Sequence, residues 1–134
     1  MFSEPQINFY VHDVETAVRF YTDRFGFKET FRTPSEGPPE HVEVRLGGFI
    51  LGLASNSAAL NTHGVPTGGG NPRAGLCLWT DDVDQVYEDL IGQGVESLTS
   101  PHDFLDGRLR VAWVADPDGN PVEIVTERSP ATPS

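Results

Sequence analysis

Glu123 interrupts the apolar run that closes DPDGNPVEIV, residues 116–125, just after a turn. A lone carboxylate there can act as a general base, hold a metal, or simply face water. In HVEVRL, His41, Glu43 and Arg45 alternate with Val42, Val44 and Leu46. The two-residue period of a strand puts that imidazole, carboxylate and guanidinium on one side, as a ligand-binding wall or as an ordinary solvated face. Gln6, Asn8 and Tyr10 alternate in the same way with Ile7, Phe9 and Val11, and can offer hydrogen bonds to a ligand. Gly75, Cys77 and Trp79 share another face, where a Trp beside small neighbours makes a wall for stacking a flat ligand. Cys77 is a small buried residue on one reading; a reactive thiolate would need a neighbouring His or cation. Trp113 shares a side with Leu109 and Val111, and Arg110, Ala112 and Val114 share the other. Which side meets a ligand is left open by the pattern. His12, His63 and His102 fall in turns and loops without the close spacing of a helix-borne zinc site. Nucleophile-elbow, phosphate-loop and paired-cysteine motifs are all missing from the sequence.

These residues are carried by a repeat. QINFYVHDVETAVRFYTDRFG at 6–26 and GLCLWTDDVDQVYEDLIGQG at 75–94 each read as a short strand, an Asp, an amphipathic helix and a Gly. Asp13 and Asp82 are placed to cap the first turn of each helix. Val14, Ala17, Val18, Tyr21 and Phe25 in the first copy, and Val83, Val86, Tyr87, Leu90 and Ile91 in the second, follow the spacing of one buried helical face. Three strand-like segments follow each helix: FKETF, HVEVRL and FILGLA, then VESLT, RLRVAWVA and PVEIVT. Gly47-Gly48 and Pro117-Asp118-Gly119 read as the turns within them. Each half is therefore expected to be βαβββ, with module one at 4–54 and module two at 74–127 of a single α+β domain, 1–128. The linker 55–73 is rich in Gly, Pro and Asn and reads as a flexible crossover or a lid. Residues 129–134 read as a disordered tail. Two such sheets with helices outside are expected to curl into a mixed sheet enclosing a cup lined by the polar faces.

Composition narrows the possible partners. The net charge of −11 argues against nucleic acid and favours a cationic ligand, although it also serves solubility. Only short apolar runs occur, so no membrane span is expected, and MFSEPQ has no signal-peptide pattern. A single cysteine excludes an intrachain disulfide, and a cytoplasmic location is expected.

With VHDVETAVRFYTDRFGF at 11–27, TDDVDQVYEDLIGQGV at 80–95 and WVADPDGNPVEIV at 113–125, the chain resembles the vicinal oxygen chelate superfamily. That superfamily includes glyoxalase I, extradiol dioxygenases and bleomycin-resistance proteins. The resemblance implies paired βαβββ modules, a homodimer, and a pocket at the subunit interface. It also implies four metal-ligand positions in metal-dependent members, and these fall on Gln6, Gly52, Gly75 and Glu123. The two glycines offer no donor, nor do Leu51, Leu53, Ala74 or Leu76 beside them, so neither metal nor cofactor is expected. The expected function is a binder of an aromatic or cationic natural product, of the antibiotic-resistance type, using Gln6, Asn8, Tyr10, His41, Glu43, Arg45, Cys77, Trp79, Trp113 and Glu123. The alternatives are a lyase, isomerase or dioxygenase of the same superfamily, and a carrier in natural-product biosynthesis.

Overall fold

The structure is a computed structural model that describes residues 1 and 3–128. The expected tail at 129–134 lies outside the described residues. The chain forms two compact units, one spanning residues 1–70 and one beginning at Asn71. Each contains the expected βαβββ module, built on its own four-stranded mixed sheet.

In the first unit, β1 (Ile7–Val11) leads to α1 (Val14–Phe25), then β2 (Lys28–Thr33), β3 (His41–Leu46) and β4 (Phe49–Ser55). The sheet order is β1-β4-β3-β2, with β1 parallel to β4 and the other pairs antiparallel. Asp13 caps α1 by accepting the Thr16 N–H at 3.0 Å, and Gly26 ends it in the left-handed region at φ 77°, where a side chain would be strained. Val14, Ala17, Val18 and Tyr21 are buried along α1, as their spacing predicts. They pack on Phe9, Val11, Val42, Val44, Leu51 and Leu53, the apolar alternates of β1, β3 and β4. Tyr21 meets Phe27 edge-on at 5.8 Å and Phe9 at 6.4 Å; such ring pairs add about 0.5–1.5 kcal/mol beyond burial alone.

The second unit repeats the plan with β5 (Leu76–Trp79), α3 (Val83–Gly92), β6 (Glu96–Phe104), β7 (Leu109–Ala115) and β8 (Pro121–Glu127), in the order β5-β8-β7-β6. Asp82 caps α3 through the Gln85 N–H at 3.1 Å. At the last turn, buried Asp116 accepts the N–H groups of Asp118 and Asn120, at 2.9 and 2.8 Å, and the Asn120 side-chain amide at 3.0 Å. The carboxylate thus sets the direction in which β8 leaves the turn.

The stretch 55–73 differs from its sequence reading, because it opens with a helix, α2 (Asn56–His63). Ser55 Oγ accepts the Ala58 N–H at 3.1 Å at one end. At the other, Gly64 at φ 69° lets the Gly64 and Val65 N–H groups reach Leu60 and Ala59 carbonyls at 2.9 and 3.0 Å. Thr67 then ties the following chain back to Asn56 through a 2.7 Å hydrogen bond. α2 buries only Ala59, so caps hold it where no apolar stripe does. No helix among the described residues is long and apolar enough to cross a membrane.

Candidate functional site

The face of each sheet turned away from its α1 or α3 helix is laid out in cross-strand rows. In the first unit Asn8, Gly52, Glu43 and Phe31 form one row, and Tyr10, Ala54, His41 and Thr33 form the next. Arg45 lies one row the other way, exposed, between Ile50 and Lys28. Gln6, just ahead of β1, donates its amide to Asn8 Oδ1 at 3.0 Å and, at a long 3.5 Å, to Glu43 Oε2. His41 Nε2 approaches the same Glu43 oxygen at 3.4 Å. A carboxylate only accepts, so in that contact Nε2 is the donor. The structure therefore gathers Gln6, Asn8, His41 and Glu43 into one polar cluster, with Tyr10 in the neighbouring row and Arg45 outside it.

A cavity of about 350 Å³ opens beside this cluster, which is the size range of small-molecule pockets. The sheet contributes Asn8, Tyr10, Thr33, His41 and Ala54 to its lining. Ala58, Ala59 and His63 of α2 form the opposite wall, with Val65 and Glu40 completing it. Sequence reasoning assigned His63 to a loop and passed over Glu40. The signal that would have found His63 is the pair of helix caps, Ser55 and Gly64, on either side of it.

In the second unit the row equivalent to Asn8–Gly52–Glu43–Phe31 is Cys77–Glu123–Trp113–Thr99, and Trp79, Val125, Val111 and His102 form the next. The facing of β7 is now resolved. Arg110 bonds Asp84 of α3 at 2.9 and 3.2 Å, and Thr126 of β8 accepts the Val83 N–H at 3.1 Å, so those alternates face the helix. Trp113, two pleats from neither, therefore shares the opposite face with Glu123, Cys77 and Trp79. His102 stacks on Trp113 with ring centres 6.2 Å apart, and its Nδ1 donates to the Ser100 carbonyl at 2.8 Å. Sequence reasoning did not pair these two. Trp79 is 64% exposed, an unusual state for so large an apolar ring. Burial raises the Cys77 thiol above its ordinary pKa, and the Glu123 charge and hydrogen bond add to that.

The residues present do not fit the four-ligand divalent site that the fold suggests. At Gly52 a Cβ would overlap Asn8 Oδ1 and stand 3.0 Å from His41 Cε1, so a donor there would need the Asn8 amide to turn away. A Cβ on Gly75 would stand 2.6 Å from the Pro121 carbonyl oxygen, which is backbone and cannot swing aside. Gln6 donates Nε2 to Asn8 and Glu43 and could offer a metal only its neutral amide oxygen. Among the described residues no three His, Cys, Asp or Glu side chains converge closely enough to hold a metal.

Comparison with known proteins agrees with this architecture. The family model described as Glyoxalase/Bleomycin resistance protein/Dioxygenase superfamily matches residues 5–124. The uncharacterized protein YraH of Bacillus subtilis (strain 168) is 30% identical over 123 residues, which cover 89% of this chain and 94% of YraH. TioX from Micromonospora sp. ML1 is similar in structure, with a TM-score of 0.74 at 23% identity over 94% of this chain and 100% of TioX. The lactoylglutathione lyase of Agrobacterium tumefaciens gives a TM-score of 0.70 at 22% identity, covering 92% of this chain and 93% of the lyase. At these identities the structural likenesses speak to fold alone.

Proposed function

The chain belongs to the glyoxalase/bleomycin resistance protein/dioxygenase superfamily, and we propose that within it this chain binds and sequesters a small aromatic or cationic molecule without transforming it. One observation carries the reading: two of the four positions at which the family resemblance implies a metal ligand are Gly52 and Gly75, which have no side chain to offer, and at Gly75 the Pro121 carbonyl fills the space one would need. The rest of the two faces is suited to binding. Trp79 presents an exposed ring, half-buried Trp113 lies opposite Glu123 in the pairing of β7 with β8, and Glu43 sits among amide and imidazole donors. A flat ligand stacks on indole, and a carboxylate in a partly dry cleft attracts its positive charge. The net charge of −11 raises the local concentration of cations around the whole protein. The working form under this reading is a homodimer, which sedimentation velocity tests directly.

The deciding experiment joins metal analysis with a ligand screen. Untagged protein is expected to carry divalent metal far below one equivalent. Aromatic, positively charged antibiotics are expected to raise its melting temperature and to be recovered unchanged. Trp79→Ala is expected to weaken that binding about tenfold, a loss of ~1.4 kcal/mol, without lowering stability. Stoichiometric metal, or turnover of a glutathione–methylglyoxal adduct, would overturn the reading.

A further inference from the structure

We propose that the cavity between α2 and the Tyr10–Ala54–His41–Thr33 row is a binding site for an ammonium group carried on a small ring. The inference rests on the reading of the chain as a binder, and it assigns the charged end of the ligand to one place. One wall of the cavity is α2, which follows β4. None of the family's four ligand positions lines it.

Its chemistry favours a hydrogen-bond donor with positive charge. Tyr10, His41 and His63 supply ring faces, and Ala54, Ala58 and Ala59 keep the space open with small side chains. Glu40 supplies a carboxylate, and neither lysine nor arginine lines the cavity. A cation is drawn to the face of Tyr10 and to the Glu40 carboxylate, while the same groups repel an anion. The volume of about 350 Å³ admits a single ring with a short amine arm and little more.

The test uses the full-length protein labelled with nitrogen-15 and three probes of one shape: phenethylammonium, phenethyl alcohol and 3-phenylpropanoate. The ammonium is expected to shift the amide signals of Tyr10, His41, Ala58 and His63, and to bind about tenfold more tightly than the alcohol, with the propanoate weakest. Ala58→Leu fills the cavity with a good helix former and is expected to abolish the response. Glu40→Gln, a surface change that keeps the fold, is expected to cut the preference for the cation several-fold. Equal affinity for the three probes, shifts confined to residues after Asn71, or an unaltered response in either cavity variant would overturn the assignment. Metal or turnover in the earlier experiment would overturn the binder reading and leave these titrations standing. No cavity response of the wild-type protein to any probe, with the antibiotic binding of the earlier screen retained, would overturn the cavity alone.

Discussion

Cys77 and Glu123 stand opposite one another across the parallel β5–β8 pair, where the carboxylate acts on the thiol. Burial is the larger cause of the raised thiol pKa, and the Glu123 charge and hydrogen bond follow it. The thiolate is the nucleophile, so Cys77 is a quiet thiol at neutral pH although solvent reaches it. Its alkylation by iodoacetamide is expected to be slower than that of a cysteine in a model peptide. Glu123→Gln removes the negative charge and is expected to accelerate the reaction several-fold. Mass-spectrometric rates from neutral pH to about pH 10 check this. An unchanged rate in the variant would leave burial as the sole cause.

Gly52 lies on β4, the last strand of the first module, and Gly75 just ahead of β5, the first strand of the second, and the two are crowded by different things. The atom that blocks a side chain at Gly52 is the end of the Asn8 amide, which can rotate away. At Gly75 it is the Pro121 carbonyl of the neighbouring strand, 2.6 Å from the would-be Cβ. Gly52→Ala is expected to cost ~1 kcal/mol and Gly75→Ala ~2–3 kcal/mol, within the usual range for overpacking. Urea unfolding of the two variants measures both. Adding Asn8→Ala to Gly52→Ala should recover most of the smaller loss, and no recovery would show that His41 Cε1, 3.0 Å away, is the real obstacle.

The elements that were legible in the sequence are those whose residues obey one simple period. α1 and α3 announced themselves through Asp13 and Asp82 and an apolar face, and β1 and β3 through strict alternation, so Asn8, Tyr10, His41 and Glu43 were correctly placed on one face. β7 was illegible in its facing because Val111, Ala112, Val114 and Ala115 are all buried and the alternation vanishes; the Arg110–Asp84 pair and the Thr126–Val83 hydrogen bond to α3 reveal which side is which. α2 was missed because it has no apolar stripe and is specified by Ser55, Gly64 and the Thr67–Asn56 hydrogen bond. With it went the His63 wall of the cavity. The stacking of His102 on Trp113 crosses a register shift between Thr99 and His102, and strand spacing alone does not show such an irregularity.

Asp116 is the one buried charged side chain among the described residues, and it accepts hydrogen bonds from Asp118 and from both the backbone and side chain of Asn120. Asp116→Ala would strand those donors at the turn that aims β8. A loss of ~2–4 kcal/mol is expected, because an unmade buried hydrogen bond costs more than a made one contributes. Asp116→Asn keeps one oxygen and is expected to lose less. Thermal melts of the two variants check the order, and equal losses would mean that charge, not geometry, holds the turn.

Asp84, in the first turn of α3, receives two hydrogen bonds from Arg110 on β7, and Arg110 also bonds Asp103 at 3.1 Å. The hydrogen bonds from Arg110, with its charge, hold the Asp84 carboxyl below its ordinary value of 3.8. A carboxyl lowered in the folded state stabilises the fold above its unfolded pKa, and that contribution fades as pH falls through the lower folded value. The expected signature is therefore a steeper loss of stability below about pH 4 in the wild type than in Asp84→Asn. The difference should be modest and should shrink in molar salt, since the Asp84 side chain is 53% exposed. Melting temperatures of both proteins from about pH 2 to 7, at low and high salt, measure it. Parallel curves for the two proteins would mean that the pair joining α3 to β7 orients those elements without stabilising them.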